Sequence, residues 1–159
     1  MADAPTWQDI AWLRSVTDLP LLIKGITHPL DVRQAIALGV DGVIVSNHGG
    51  RSVDGLPATL ELLPLTREAA GNRIALLMDG GIRSGSDVFK ALALGADAVL
   101  VGRLQPCALA VAGALGVAHM LQCLRQELEV TMALTGCRTL AEITRACLFN
   151  LCHTQDQQC

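Results

Sequence analysis

Tyrosine is absent from this 159-residue sequence, and two tryptophans and two phenylalanines are its only aromatic rings. No phenol can therefore serve in a site built from this chain, and the core must come from Leu, Val, Ile and Ala. No uninterrupted run of about 20 apolar residues occurs, so a membrane span is not expected. The opening residues, Met1 to Thr6, lack a basic stretch followed by an apolar one, so no secretory signal is expected either. Basic residues are scattered and the net charge is -3, which leaves no electrostatic footprint for nucleic acid. The six cysteines form no Cys-x-x-Cys pair and no His stands at zinc-finger spacing. They read as free thiols of a reducing compartment, without a disulfide framework or a metal site.

What is present is apolar: 51% of the residues are hydrophobic and the mean hydropathy is +0.42. A chain of this size can bury roughly 70% of its unfolded surface, enough for one domain with a core. Four short runs without polar alternation, Leu19 to Ile23, Gly42 to Val45, Ile74 to Met78 and Ala98 to Val101, read as strands covered on both faces. Helical spacing separates them over Asp31 to Leu38, Leu60 to Ala70 and Ser86 to Leu94, each followed by a glycine. Val117 to Leu134 reads as a longer helix closed by Gly136, with a short one from Leu140. The order βαβαβαβα argues for a parallel sheet with right-handed crossovers. DVRQAIALGVDGVIVS, residues 31 to 46, and DVFKALALGADAVLVG, residues 87 to 102, match at nine of sixteen positions without a gap. Such a repeated unit suits a barrel of equal parts, and four units make half of a barrel that takes about 250 residues. The fold class expected is thus α/β: four parallel β-α units, half of a TIM (β/α)8 barrel. Residues 1 to 147 form this unit. Residues 148 to 159 read as an irregular polar tail with no peroxisomal Ser-Lys-Leu ending and no prenylation box.

In such barrels chemistry gathers at the C-terminal ends of the strands. Those ends carry Lys24-Gly25, then Ser46-Asn47-His48-Gly49-Gly50-Arg51, then Asp79-Gly80-Gly81-Ile82-Arg83, then Gly102-Arg103. Gly80, Gly81 and Gly102 let backbone amides approach an anion, and Arg83 and Arg103 add charge-assisted bonds, so the last two loops read as a phosphate site. Asp79 suits sugar-like hydroxyls. His48, flanked by glycines, has the titration range of a general base, and Arg51 the geometry for a carboxylate. Lys24, a cation ending a buried strand, requires a partner. His28, His119, His153 and Lys90 read as structural or solvated.

LLIKG, IVSNHGGR, LMDGGIRSGSDVFKALALGA and LVGR, followed by ELEVTMALTGCRTLAEI, are similar to the motifs of the FMN-dependent 2-hydroxy-acid oxidases and dehydrogenases. The resemblance covers Trp7 to Ile143 and is to the C-terminal half of that family's barrel. SNHGGR with DGGIRSG downstream is its most specific part, and argues against other FMN barrels such as isomerases or amidotransferase-linked synthases. The resemblance implies FMN as cofactor and oxidation of a small (S)-2-hydroxy acid, such as glycolate, lactate or mandelate, with oxygen or another acceptor restoring the flavin. It implies that Lys24 and Ser46 contact the isoalloxazine. His48 takes the substrate hydroxyl proton during hydride transfer, with abstraction of the α-proton as the alternative, and Arg51 binds the carboxylate. Asp79 meets the ribityl chain, and Gly80, Gly81, Ile82, Arg83, Gly102 and Arg103 the phosphate.

Two departures stand out. Leu104 occupies a place where the family usually has proline, with Cys107 near a position that is often aromatic. The N-terminal half, which in the family brings tyrosines, an aspartate orienting the histidine and a second arginine, has no counterpart in these residues. The expectation is therefore a truncated product, weakly folded and inactive by itself until it pairs with a complementary half barrel or with copies of itself. The alternative to catalysis is a non-catalytic FMN- or phosphate-binding half barrel. Expected partners are a small 2-hydroxy acid but neither nucleic acid nor membrane, and the expected location is cytoplasmic, with the peroxisome as the alternative.

Overall fold

A computed structural model describes residues 4–149. Helix α1 (Trp7–Val16) precedes strand β1 (Leu22–Ile26), followed by α2 (Pro29–Ala37), β2 (Gly42–Val45), α3 (Thr59–Ala70), β3 (Ala75–Met78), α4 (Gly85–Ala93), β4 (Ala98–Val99) and α5 (Leu104–Thr135). Single 3-10 turns occupy His48–Gly50, Leu140–Glu142 and Arg145–Cys147. The four strands form one sheet in the order β1-β2-β3-β4, every neighbouring pair parallel. Consecutive strands lie side by side with a helix in each crossover, as the repeat requires.

The repeat is a structural device. Asp41 and Asp97 stand at equivalent positions, each just before its strand. The Asp41 carboxylate accepts the Leu21 amide at 2.7 Å and pairs with Arg14 at 2.9 Å. The Asp97 carboxylate accepts the Leu76 amide at 2.7 Å and pairs with Arg67 at 2.7 Å. Each aspartate thus ties the strand it precedes to the previous strand and to the helix before that one. The arginines also bond nearby carbonyls, Arg14 at Thr17 and Leu19 and Arg67 at Gly95 and Gly71.

That clamp explains where β1 begins. The apolar run points to Leu19–Ile23, but the strand is Leu22–Ile26, three residues later. Pro20 has no amide for the ladder, and the carbonyl of Leu19 and amide of Leu21 are held by Arg14 and Asp41. Lys24 consequently lies inside β1, opposite Ile44, rather than beyond its end. The register slips between Lys24 and Ile26, across Gly25, a bulge of the kind that re-aims a strand end.

One face of the sheet is sealed by helices: Val43, Val45, Leu76 and Met78 are at most 1% exposed. Opposite them, Leu22 is exposed and Ile44 and Leu77 are only half-buried. The absence of polar alternation suggests burial on both faces, yet among the described residues only one is fully covered. Two of the helix starts follow local chemistry. His28 caps α2 through Nδ1, which accepts the Leu30 amide at 3.2 Å, with Pro29 in the first turn. Ser84 and Asp87 form a reciprocal capping box on α4.

Two helices differ from expectation. The sequence pattern does not reveal α1, because its contribution to the core is confined to the half-buried Trp7 and Ile10. Helix α5 starts at Leu104 rather than Val117, and only Leu124 on it is buried. It is long and apolar enough by length and composition to cross a membrane, with a mean hydropathy of 1.8 over its most apolar stretch. A break at Ala112 and Gly113 divides it, however, and the segment after the break carries Arg125, Glu127 and Glu129. Neither straight piece offers about 20 consecutive apolar residues. Of the tail, Leu148 packs against the cluster of Phe89, Ala93, Cys137 and Ile143, Phe149 is exposed, and residues 150–159 lie outside the described residues.

Candidate functional site

The C-terminal ends of the four strands surround a cavity of about 560 Å³ lined by Lys24, His48, Arg51, Asp79, Gly80, Gly81, Ile82, Arg83, Gly102 and Arg103. Parallel order makes this convergence unavoidable: neighbouring strands that run the same way deliver their following loops to one rim. Ser46 sits beneath the rim, 1% exposed, and bonds two of the lining residues. Its hydroxyl lies 2.5 Å from Lys24 Nζ and 3.2 Å from the His48 amide. Every sequence-derived site residue is therefore brought to one place.

The floor is an ion pair. Lys24 Nζ lies 2.5 Å from Asp79 Oδ2. The partner that a cation in a strand requires is thus an aspartate two strands away. The other oxygen, Asp79 Oδ1, is buried and accepts no hydrogen bond among the described residues. A buried carboxylate oxygen without a donor calls for one, and a hydroxyl of a molecule bound in the cavity would meet that need. Thr59, unmarked in the sequence, holds the turn from behind by donating its hydroxyl to the Asp79 carbonyl at 2.5 Å.

Glycines shape the wall. Gly80 and Gly81 have φ of 94° and 80°. A β-carbon at Gly80 would stand 2.8 Å from Thr59 Oγ1, whereas one at Gly81 or Gly102 would project into open space. The two latter positions therefore leave bare backbone facing the cavity, with the Arg83 and Arg103 side chains at hand. The nearby start of α4 is already occupied by carboxylates. Asp87 accepts the amides of Arg83 and Ser84, each at 3.1 Å, and Glu127 of α5 accepts the Gly85 amide at 2.7 Å. An anion in this cavity is thus directed to the Gly80–Gly81 turn, to Gly102–Arg103 and to the opening turn of α5. These residues fit a phosphate and a polyhydroxyl chain, and so fit FMN. Leu104 is the first residue of α5 and lines the cavity, so the departure from proline keeps the turn in place.

His48 occupies the opposite part of the rim. Among the described residues it is the only non-glycine with positive φ, 55°, followed by Gly49 and Gly50 at 69° and 76°. A left-handed side-chain-bearing residue costs about 1–2 kcal/mol, and such strain is characteristic of functional positions. Asn47 secures the turn by accepting the Gly49 amide at 3.1 Å. The exposed imidazole lies against Gly25 of β1, close enough to contact a β-carbon placed there. Arg51 reaches back to the His48 carbonyl at 3.2 Å and lines the cavity beside it. The sequence marks His48 and Arg51, but the role of Gly25 appears only when β1 and β2 are side by side.

The profile of the FMN-dependent dehydrogenases matches residues 1–150. The chain is 60% identical over 152 residues to an L-lactate oxidase of Alicycliphilus denitrificans, a match covering 96% of this chain and 42% of the relative. It is 50% identical over 144 residues to glycolate oxidase 1 of Oryza sativa subsp. indica, covering 91% of this chain and 39% of that protein. Its backbone resembles the crystal structure of mandelate oxidase with benzoyl-formic acid at a TM-score of 0.86 and 45% identity, over 89% of this chain and 42% of the other. The chain thus spans about two fifths of the length of the relatives it matches.

Proposed function

This chain belongs to the FMN-dependent dehydrogenase family, and from that premise we propose that its rim serves the oxidation of a small (S)-2-hydroxy acid to the 2-oxo acid. One observation carries the reading. The His48 imidazole, the Lys24–Asp79 pair and the two glycine-arginine turns line a single cavity.

Bound FMN supplies an acceptor for the hydride leaving the substrate α-carbon. The chain's residues do the rest. Arg51 pairs with the substrate carboxylate and sets the hydroxyl toward His48. His48 Nε2 or Nδ1 accepts the hydroxyl proton, so that the oxygen lone pair forms the new carbonyl. Lys24 is held by Ser46 and Asp79, and its positive charge would favour the electron-rich form of a bound flavin. Asp79 Oδ1, buried without a partner among the described residues, would accept a ribityl hydroxyl, while Gly80, Gly81, Ile82, Arg83, Gly102 and Arg103 would hold the phosphate. The proton rests on His48, the hydride has left, and a 2-oxo acid remains.

A second reading, a flavin-binding unit without turnover of its own, is favoured by one fact. Among the described residues no carboxylate bonds the His48 imidazole, and a base without an orienting partner loses much of its power. Anaerobic mixing of the FMN-loaded chain with lactate, glycolate or mandelate separates the two. Bleaching of the flavin absorbance that disappears in His48→Ala, with FMN still bound, supports the oxidase. Tight FMN binding with no bleaching by any of the three acids establishes the binding unit.

A further inference from the structure

Away from the rim, α5 ends at Thr135 and Gly136, left-handed at φ 78°, turns the chain back across α4. Cys137 follows, buried against Phe89 and Ala93 of α4 and Ile143. Its amide donates to the Met132 carbonyl at 2.9 Å, which fixes it to the end of α5. Two 3-10 turns later stands Cys147, half-buried, its amide donating to Thr144 O at 2.9 Å. The two sulfurs are 3.6 Å apart, and each lies 3.6 Å from the Glu142 carbonyl. They are the one pair of cysteine sulfurs in contact among the described residues. The sequence alone gives no hint of this, because ten residues separate them and neither belongs to a Cys-x-x-Cys motif.

We propose that Cys147 and Cys137 form a reversible redox couple, with Cys147 as the thiol that meets a hydroperoxide and Cys137 as the thiol that resolves it. The geometry supplies the distance. A disulfide spans about 2.05 Å between sulfurs, so closure requires an approach of about 1.5 Å, within reach of side-chain rotation in a segment without regular helix. The environment supplies the asymmetry. Hydrogen bonding from the Thr144 backbone, and then the Cys137 thiol, hold Cys147 below its ordinary range against the opposing effect of burial. The Thr135 hydroxyl pulls Cys137 down, but burial together with Cys147 and Glu142 outweighs it and pushes that thiol up. The more acidic thiol is the better-populated nucleophile.

The chemistry balances with one hydrogen peroxide. The Cys147 thiolate attacks a peroxide oxygen, breaking the O–O bond to give a sulfenic acid and hydroxide. The Cys137 sulfur then attacks the sulfenic sulfur, the S–O bond breaks, and the departing oxygen takes the Cys137 proton as water. Two thiols lose two electrons, and a dithiol reductant returns them. The bond closes a short loop that packs on α4, whose first turn adjoins the phosphate turn. The loop contacts Phe89 and Ala93 of α4, and none of its residues lines the cavity.

The test is thiol mapping on the full 159-residue chain. After one equivalent of hydrogen peroxide, two of the six thiols resist alkylation and the mass falls by two hydrogens. Cleavage after Arg138, Arg145 and Phe149 separates Cys137 and Cys147 from each other and from Cys152, so the cross-linked peptides identify the bond. Dithiothreitol restores both thiols, and the oxidised form melts several degrees higher than the reduced one. Cys147→Ser abolishes the cross-link, whereas Cys152→Ser and Cys159→Ser leave it intact. Full alkylation of Cys137 and Cys147 after peroxide overturns the proposal. So does sulfinic acid on Cys147 without a cross-link, or a cross-link to Cys152 or Cys159. Because the mapping is done on the unaltered chain, it does not depend on any variant folding.

Discussion

The imidazole of His48 rests on the bare backbone of Gly25, so closely that a β-carbon on residue 25 would come within 3.0 Å of Cε1. Residue 25 also has φ of 100°, a conformation side chains rarely accept. The β1 bulge and the left-handed turn after β2 thus meet to set the position of one ring. Gly25→Ala should push the imidazole out of line without reaching the glycine-arginine turns. The expected result is a loss of roughly a hundredfold in the rate of flavin reduction, the scale of a 1 Å misplacement, with FMN affinity little changed. Stopped-flow reduction and flavin fluorescence titration measure the two separately. Equal losses in both would mean that Gly25 supports the whole rim rather than the ring.

Lys24 and Asp79 make the second prediction. Their contact crosses the end of β2, and Ser46, the residue just after β2, shares the lysine. Lys24→Met leaves the Asp79 carboxylate, 18% exposed, with neither oxygen paired to a cation. Lys24 is itself 39% exposed, so water moderates the cost. A stability loss of about 1–2 kcal/mol is expected by urea denaturation, and Asp79→Asn in the same background should recover most of it. FMN binding weakens in both variants. A double variant as unstable as Lys24→Met alone would show that the charge on Asp79 is not what the lysine balances.

The paired clamps give the third. Removing Asp41 strips the Leu21 amide of its acceptor and removing Asp97 the Leu76 amide, and each change takes the carboxylate partner from one arginine. Each aspartate is about half exposed, and alanine at either place is expected to cost about 1–2 kcal/mol. The two clamps act on different strand pairs and share no partner, so the double variant should lose their sum within about 0.5 kcal/mol. Strong non-additivity would mean that the two repeat units do not stabilise themselves independently.

These clamps also show what the sequence makes legible. The repeat announces two equivalent helix-strand units, and β2, β3, α2, α3 and α4 fall within a residue or two of their expected places. So does the rim, because in a parallel sheet each loop after a strand must arrive at the same end. What the pattern does not carry is anything settled by a distant partner. Leu19 and Leu21 read as strand but are held in a loop by Arg14 and Asp41, which displaces β1 and places Lys24 within it. Glu127 reaches from α5 to the Gly85 amide over 42 residues, and no local motif predicts that bond. Gly25 gains its meaning from a histidine in the turn that follows the next strand. The break at Ala112 and Gly113 carries one local mark, the glycine, but a helical pattern often tolerates a lone glycine, so that mark does not fix where the helix bends.

Asp87 makes the start of α4 sensitive to acid, with a definite sign. Burial works against its charge, but the Arg83 amide, the Ser84 hydroxyl, Lys90 and the Ser84 amide together hold its carboxyl below the ordinary value of 3.8. A carboxyl whose folded value is depressed binds protons more readily in the unfolded chain, so stability rises with pH across that interval. Its contribution is complete above 3.8 and is lost as the pH falls through the lower folded value. Asp87→Asn should therefore be less stable than the parent at neutral pH, by about 1 kcal/mol for a partly solvent-screened capping carboxylate. The gap should close below the folded value, where the parent is protonated as well. Because Asp87 binds the amides of Arg83 and Ser84, which lead out of the phosphate turn, FMN affinity should weaken in the variant at neutral pH, where its stability is also lower. Denaturant midpoints and flavin titrations across the acid range check both. A stability gap that stayed constant from neutral to strongly acid pH would show that shape, rather than charge, is what Asp87 contributes.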